Sequence, residues 1–345
     1  MKRAYIPQEY RPVVPGTTLV SQNCNRFEIS DDLKMLSQTI AVFSSKGDIV
    51  AKNFWGNFEH KNQAIHLYFD DLGYFWDFIY DGQSLVVLTK EGKLFPSSIY
   101  HRHPGVAQDH ECYSRHIAFF EIVDMWDGNQ IGQKRDHFHN ASKPFQMHTS
   151  ISQALKKVCT ENVTIPKTNI VKGNVSKVSE RMVKHRVVKS CSGMRSIVVS
   201  DKDCKSWDHS NINHVPVLFQ EQIEGIDIRV HKIDNTFWAL SVISKSQIDY
   251  RYSDKKELVY TVLELPEELK QFCREVSRLE NNRFVGIDLI QVGNLFYCLE
   301  SNPGPGWSTY AHSSKHQFNE AFGNILNLTS KRKNTYENST FCNCL

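Results

Sequence analysis

Residues 285–306 constrain the fold more than any other segment of this chain. Apolar residues flank a Gly-Asn turn signal that ends at Asn294, a pattern typical of a β-hairpin. If the turn centres on Asn294, Asp288 lies directly opposite Glu300, and Asn302 shares their face because side chains alternate along a strand. Opposed carboxylates repel each other unless a cation lies between them, and a hard divalent metal prefers such oxygen ligands. The spacing alone leaves open both a metal site and a solvated acidic face.

The composition indicates a globular protein with substantial cores. The 345 residues suffice for two or three domains, and 40% hydrophobic with 23% charged residues are ordinary values. A net charge of +3 is too small to argue for nucleic acid or a membrane surface, so neither partner is expected. Basic residues concentrate between positions 172 and 195, where they could meet a polyanion such as a nucleotide or form a solvated helix face.

Signals of secretion are lacking in the sequence. The first residues contain no apolar segment of a signal peptide, and no run approaches the roughly 18 apolar residues of a membrane-spanning helix. The nine cysteines are scattered and odd in number, which favours reduced thiols over a disulfide framework. We therefore expect a cytoplasmic location.

Local patterns predict alternating strands and helices. A strand at 39–44, a helix from about Asp48 and a strand at 64–69 would form a β-α-β unit. Further strands are expected near 85–88, 97–102, 164–168, 186–190, 215–220, 227–233 and 236–243. Helices are expected at 142–158 and at 266–280, the second opening at Pro266.

Polar residues follow one another in a specific order along the second half of the chain. They are Lys143 at a helix start, Lys189 at a strand end, the loop residues Ser192 and Gly193, the strand segment Gln220–Ile223, then Asp227, Arg229 and Arg251, and finally Asp288, Glu300 and Asn302. This order resembles the ATP-grasp superfamily, and most closely its branch of RimK-type glutamate ligases and microviridin-type (graspetide) peptide maturases. The resemblance covers about 136–312, with a weaker match over 37–135.

The resemblance implies a mixed α+β and α/β chain with the ATP-grasp fold, in which two α+β subdomains clamp ATP. A small pre-ATP-grasp α/β domain would precede it. The implied division is an N-terminal extension at 1–36, the first domain at 37–135, the ATP-grasp domain at 136–330 with a lid subdomain (136–215) and a metal-binding subdomain (216–330), and a polar tail at 331–345.

The same resemblance assigns nucleotide contacts. Lysine ammonium groups neutralise phosphate oxygens, backbone N–H groups of a tight loop cover phosphates, and backbone groups of a hinge contact the adenine edge. The implied residues are Lys143 and Lys189 for the phosphates, Ser192 and Gly193 for the loop, Glu221, Gln222 and Ile223 for the hinge, and Asp227 as a nucleotide-contacting acid.

Catalytic and metal residues are implied in the same way. Arg229 and Arg251 would face the transferred phosphoryl group and the acyl phosphate, since a guanidinium pairs bidentately with phosphate oxygens. Asp288, Glu300 and Asn302 match the family's magnesium ligands. The expected cofactors are ATP and two Mg²⁺ ions, with Mn²⁺ able to substitute.

The implied function is an ADP-forming carboxylate ligase acting through an acyl phosphate. The Gly306-Trp307 pair favours a ribosomal-peptide maturase that joins Asp or Glu side chains to Ser, Thr or Lys side chains, with a precursor peptide (leader plus core) as substrate and a homodimer as an allowed state. Two alternatives stay open. One is a ligase of free amino acids or protein C-termini, and the other is a non-catalytic ATP-binding interaction protein, against which the intact residue set argues.

Histidines at other positions carry less information. His101, His103, His110, Cys112 and His116 crowd one segment, but their spacing fits none of the usual zinc-binding pairs. The strand 99–102 resembles an aromatic-X-Arg strand of the family's first domain, which favours a structural or substrate-facing role. A general base for the acceptor is not evident, and His231 is a candidate by position only. Ser301 departs from the family pattern and is expected to face away from the metal.

Overall fold

A computed structural model describes eight stretches of the chain, which are residues 33–102, 110–132, 149–171, 186–191, 197–199, 217–244, 258–307 and 315–328. None of the helices in these stretches is long and apolar enough to cross a bilayer.

The first region combines a parallel and an antiparallel sheet. Its elements are β1 (Ile40–Ser44), α1 (Ile49–Asn57), β2 (Ala64–Tyr68), β3 (Trp76–Tyr80), β4 (Leu85–Thr89), β5 (Gly92–Leu94), β6 (Ser98–His101), α2 (His110–Met125) and β7 (Asn129–Gly132). The parallel sheet has the order β2-β1-β6-β7, so the predicted β-α-β unit is confirmed. The strand predicted near 85–88 is present as β4, but it belongs to a separate antiparallel sheet, β3-β4-β5.

Helix α1 begins where the sequence predicts. Oδ1 of Asp48 accepts hydrogen bonds from the backbone N–H groups of Val50 and Ala51 at 2.8 and 3.0 Å, which satisfies two of the open donors of the first turn. Oδ2 of the same carboxylate remains for a partner outside the helix, a point that matters for the candidate site.

The second region contains two further sheets. Its elements are α3 (Ile151–Val158), β8 (Val163–Thr164), β9 (Thr168–Val171), β10 (Arg186–Ser190), β11 (Ile197–Val199), β12 (Val217–Glu221), β13 (Ile226–Ile233), β14 (Thr236–Ile243), β15 (Val259–Leu263), α4 (Glu267–Leu279), β16 (Phe284–Val292), β17 (Leu295–Pro303) and α5 (Lys315–Leu328). Strands β11-β10-β12-β9 form an antiparallel sheet, and β15-β14-β13-β16-β17-β8 form a six-stranded sheet. Helix α3 is described only from Ile151, so the predicted start at 142 lies outside the described residues.

The six-stranded sheet has two chemically different faces. One face packs its apolar side chains, among them Val230, Ile287 and Leu289, against α3 and α4 in a common core. Because side chains alternate along each strand, the residues between them point to the opposite face. Strand β8 also joins this sheet, although the predicted division assigned its residues to the other subdomain. The domain boundaries themselves stay predictions.

Helix α5 and the residue Trp307 connect the two regions. Trp307 is fully buried and stacks on Phe318 of α5 with ring centroids 5.2 Å apart. Both belong to a core that also contains Phe54 of α1. The hydroxyl of Ser98 donates to the carbonyl of Leu326 at 2.7 Å, which ties α5 to β6. Trp307 and α5 therefore pack against the first region.

His66 makes the stability of the first region depend on pH. Its ring packs on Trp55, Nε2 lies 2.8 Å from Oγ of Ser44, and burial lowers the pKa of the ring to about 4 from 6.5. The unfolded chain therefore takes up this proton first, so this contribution is complete above about pH 6.5 and is lost as the pH falls toward 4. We expect His66→Gln to reduce the fall of the melting temperature between pH 7 and 4.5. Equal slopes in His66→Gln and the parent protein would contradict the assignment.

Candidate active site

The hairpin of β16 and β17 brings the predicted metal ligands together. Asp288 pairs with Glu300 in the register, as predicted, and Asn302 pairs with Gly286 one step along the same face. The register that leads to this pairing differs from the predicted one. The two-residue turn places Val292 opposite Leu295, and a bulge after Asp288 then restores Glu300 as the partner of Asp288. Asp288, Glu300 and Asn302 are called the candidate metal site below.

Within the candidate metal site, each carboxylate oxygen of Asp288 has a side-chain partner. Nδ2 of Asn302 donates to its Oδ2 at 2.9 Å, and Nη1 of Arg229 forms an ion pair with its Oδ1. Arg229 and Asp288 are directly opposite each other on neighbouring strands β13 and β16. The Asn302 amide therefore turns its nitrogen toward Asp288.

Glu300 and Ser301 point to opposite sides of β17. Glu300 is only 6% exposed, on the face of Asp288. The Ser301 hydroxyl donates to Oε2 of Glu280 at 2.8 Å, while the hydroxyl of Ser150 donates to its other oxygen at 2.8 Å. The expectation that Ser301 faces away from the candidate metal site is confirmed, and the buried Glu280 carboxylate anchors this strand from behind.

His231 is buried and does not offer an exposed base. The residue is 1% exposed, and its Nε2 lies 3.1 Å from the carbonyl of Gly306 and 3.4 Å from Nε of Arg229. A ring nitrogen cannot donate to a carbonyl and accept from a guanidinium at once, and the shorter contact favours Nε2 as donor. Burial, followed by the charge of Arg229, holds the pKa of His231 well below its ordinary value. The neutral ring supports the loop after β17.

Gly286 creates a recess for the Arg229 side chain. A Cβ at this position would lie 2.6 Å from Nη2 of Arg229 and 2.6 Å from Cβ of Pro305, closer than side-chain carbons approach. Arg229 is 7% exposed in this recess. A glycine inside a strand often marks such a close approach, so this residue was detectable in the sequence, although the motif comparison did not include it.

The predicted hinge lies at the junction of the two sheets of the second region. Strand β12 ends at Glu221, whose backbone N–H donates to the carbonyl of Lys167 at 2.8 Å. Gln222 and Ile223 follow in the short connection to β13, outside either strand. Asp227 is half-buried on β13, on the same strand face as Arg229. Of these four predicted residues only Asp227 lies on β13, two positions before Arg229.

The remaining predicted residues are only partly placed. The backbone of Lys189 pairs with Leu218 at the centre of its sheet. Lys143, Ser192, Gly193 and Arg251 lie outside the described residues.

Arg102 links the first region to the loop that follows the candidate metal site. Its Nε donates to Oδ2 of Asp48 at 2.5 Å, and its Nη1 lies 3.2 and 3.3 Å from the carbonyls of Gly304 and Pro305. With His231 on Gly306, three consecutive carbonyls of this loop have side-chain partners. Arg102, on the aromatic-X-Arg strand, therefore makes a structural contact. The sequence resemblance had left a structural role and a substrate-facing role open.

Loss of Arg102 should change the metal requirement. Arg102→Ala removes donors to Gly304 and Pro305, two and three residues after Asn302, and leaves Asp48 without its cation. We expect the Mg²⁺ concentration for half-maximal activity to rise about tenfold or more, the usual effect of losing a residue that orients metal ligands. Arg102→Lys should recover little, because an ammonium cannot bridge three acceptors in a plane.

The control for this experiment is Lys46→Ala, which removes an exposed ion pair with Asp71 in the same region. Such pairs contribute little, so its Mg²⁺ requirement should match that of the parent protein. An unchanged Mg²⁺ requirement in Arg102→Ala would show that Arg102 does not position the loop.

The donor set of the candidate metal site fits a hard cation. Two carboxylates and a side-chain amide share one face, and a guanidinium supplies the positive charge that Asp288 requires. In the described stretches, the candidate metal site included, no group of three or more His, Cys, Asp or Glu side chains could hold a metal ion, so this site depends on two carboxylates and one amide. Consistent with this, His101 and His116 are buried against Phe120 and Phe69 respectively.

Comparison with known proteins identifies the fold. Residues 151–307 match the family model of the ATP-grasp domain, so the chain contains an ATP-grasp domain. No curated protein sequence matches the chain.

Several solved structures of the same fold align with most of the chain. The ligase PsnB, complexed with a phosphomimetic variant of a minimal precursor, Mg and ADP, aligns with a TM-score of 0.67 and 19% identity over 86% of this chain and 100% of PsnB. The macrocyclase MdnC from Microcystis aeruginosa, bound with precursor peptide MdnA, gives 0.65 and 15% over 83% and 99%. The D-alanine–D-alanine ligase from Bacillus anthracis gives 0.52 and 13% over 86% and 98%. These likenesses establish the ATP-grasp fold over most of the chain.

Proposed function

We propose that this chain is an ADP-forming ligase that matures a ribosomal peptide. In this reaction it activates an Asp or Glu side chain with ATP and joins it to a Ser, Thr or Lys side chain. The observation that carries the proposal is the arrangement of Asp288, Glu300, Asn302 and Arg229 on one sheet face, continuous along β13 with the hinge between the two sheets.

The chemistry follows from this arrangement. A substrate carboxylate oxygen attacks the γ-phosphorus of ATP, which releases ADP and forms an acyl phosphate. The acceptor hydroxyl or amine then attacks the acyl carbon, and phosphate leaves with one carboxylate oxygen while the acceptor loses a proton. Both steps concentrate negative charge on phosphoryl oxygens, so positioning and charge neutralisation are the protein's main contributions.

Individual residues have distinct parts in this proposal. Asp288, Glu300 and the Asn302 amide oxygen would hold Mg²⁺, two ions with Mn²⁺ able to substitute, which neutralises phosphate charge when bound. Arg229 would bind the carboxylate or its acyl phosphate through its planar guanidinium. The backbone between Glu221 and Ile223 would contact adenine. Lys143, Lys189, the loop of Ser192 and Gly193, Asp227 and Arg251 complete the proposed site.

A peptide substrate is supported by the folds of PsnB and MdnC, whose structures contain precursor peptides. A precursor with a leader and a core is therefore the proposed partner, in the cytoplasm, and a homodimer stays a prediction. The second candidate is a ligase of free amino acids or protein C-termini, which the shared fold of D-alanine–D-alanine ligase favours.

Mass spectrometry separates these candidates. The protein is incubated with ATP, Mg²⁺ and candidate precursor peptides rich in Thr and Glu or Asp. A maturase removes one water from the peptide for each bond formed, with one ADP per bond. ADP formation with free amino acids, and unchanged peptide masses, would favour the second candidate. Neither ADP nor a mass change with any substrate would contradict both.

A further inference from the structure

Arg229 occupies a site built around its guanidinium. Nη1 pairs with Asp288, Nε faces His231, and Nη2 lies over the space that a side chain at Gly286 would fill. The group is almost fully buried, so this position is defined by packing as well as by charge.

This position is incompatible with the role of Arg229 in the proposed reaction. While Nη1 pairs with Oδ1 of Asp288 and Asn302 donates to Oδ2, both oxygens of the carboxylate are engaged. Arg229 thus neutralises the Asp288 carboxylate, as Mg²⁺ would do in the proposed function. Nε faces His231, Nη2 packs against Gly286, and only 7% of Arg229 is exposed, so the guanidinium must turn out of this position to pair with a substrate carboxylate.

We propose that Arg229 is an exchangeable counter-ion that stabilises Asp288 until the Mg²⁺–nucleotide complex binds, and then turns to the carboxylate substrate. This inference rests on the proposed function and concerns its order of events. A largely buried carboxylate needs a cation in every state, because leaving it without one is strongly unfavourable. Arg229 leaves Asp288 only when another cation replaces it. The substrate-binding form of Arg229 therefore exists only with nucleotide in place.

Calorimetric titration with Mg²⁺ and the non-hydrolysable nucleotide AMP-PNP tests the exchange without turnover. Arg229→Met removes the competing cation, so the nucleotide complex should bind about fivefold tighter or more, as expected for coupled sites. Gly286→Ala keeps the charge of Arg229 but fills its recess, and it should shift the affinity in the same direction. Circular dichroism confirms that each variant is folded.

The chain offers a matched control. Arg283 pairs with Asp234 at 2.5 Å just beyond the far end of the same two strands, β13 and β16. Arg283→Met also removes the arginine partner of an aspartate, but this ion pair lies away from the candidate metal site. Its affinity for the Mg²⁺–AMP-PNP complex should equal that of the parent protein.

Three results would overturn the exchange. Weaker binding in Arg229→Met would show that Arg229 already contacts the nucleotide. Tighter binding in Arg229→Met with no change in Gly286→Ala would show that only the loss of a positive charge matters, and not the position of Arg229. If the parent protein, Arg229→Met and Arg283→Met bind the Mg²⁺–AMP-PNP complex with equal affinity, Arg229 does not compete with the metal for Asp288. In these cases the proposed function survives, whereas a parent protein that binds no Mg²⁺–AMP-PNP would end both proposals.

Discussion

Asp288→Asn is expected to abolish peptide ligation while the protein remains folded. The change keeps the shape of the side chain but removes the negative charge that binds Mg²⁺ in the proposed function. Loss of a metal that contributes several kcal/mol to charge stabilisation corresponds to a rate reduction of about a thousandfold or more. The rate of ADP formation with a substrate peptide measures the effect, and Glu300→Gln should behave in the same way.

Asp234→Asn is the matched control for this prediction. Asp234 also pairs with an arginine, Arg283, at the end of β13, but it lies outside the candidate site. We expect near-parental activity from it. Retained turnover in both Asp288→Asn and Glu300→Gln would show that these residues are not the metal ligands.

Trp307→Ala is expected to give the largest loss of stability. Trp307 is fully buried between the two regions, stacks on Phe318, and has the tilted ring of Phe322 at 6.3 Å between centroids. Replacing a buried aromatic side chain by Ala lowers the free energy of unfolding by about 3–5 kcal/mol, from lost burial and the cavity that remains. Denaturant unfolding followed by fluorescence and circular dichroism measures this change.

Phe75→Ala serves as the control for Trp307→Ala. Phe75 is 54% exposed, and the ammonium of Lys90 lies 4.6 Å from its ring centroid. Removing it should lower the free energy of unfolding by no more than about 1 kcal/mol. Equal losses in the two variants would show that Trp307 does not join the two regions.

Periodicity and turn signals located many of the elements that position the site. The hairpin illustrates both the success and its limit. Asp288 and Glu300 are opposed as predicted, but two departures from the assumed register compensate each other. The turn contains two residues, with Gly293 at a φ of +60°, and the bulge beside Leu299 adds the missing step. A bulge leaves no clear signature in the amino-acid pattern, so the correct pairing was reached through an incomplete geometry.

Contacts between distant elements were the part that sequence could not supply. The pairing of Arg229 with Asp288 depends on β13 lying next to β16, with β14, β15 and α4 between them in the chain. The contact of Arg102 with Gly304 joins residues 202 positions apart. Motif order could place such residues in one site, because the resemblance carries a known fold. It could not show which of them bind each other before a ligand arrives.

The most direct test of the account follows oxygen from the substrate carboxylate. A candidate precursor peptide with ¹⁸O in its Asp and Glu carboxylates is incubated with the protein, ATP and Mg²⁺, and the released phosphate is analysed by mass spectrometry. Activation through an acyl phosphate predicts one ¹⁸O in each phosphate, together with ADP and loss of water from the peptide. Unlabelled phosphate accompanying bond formation, or ¹⁸O appearing in AMP, would contradict it.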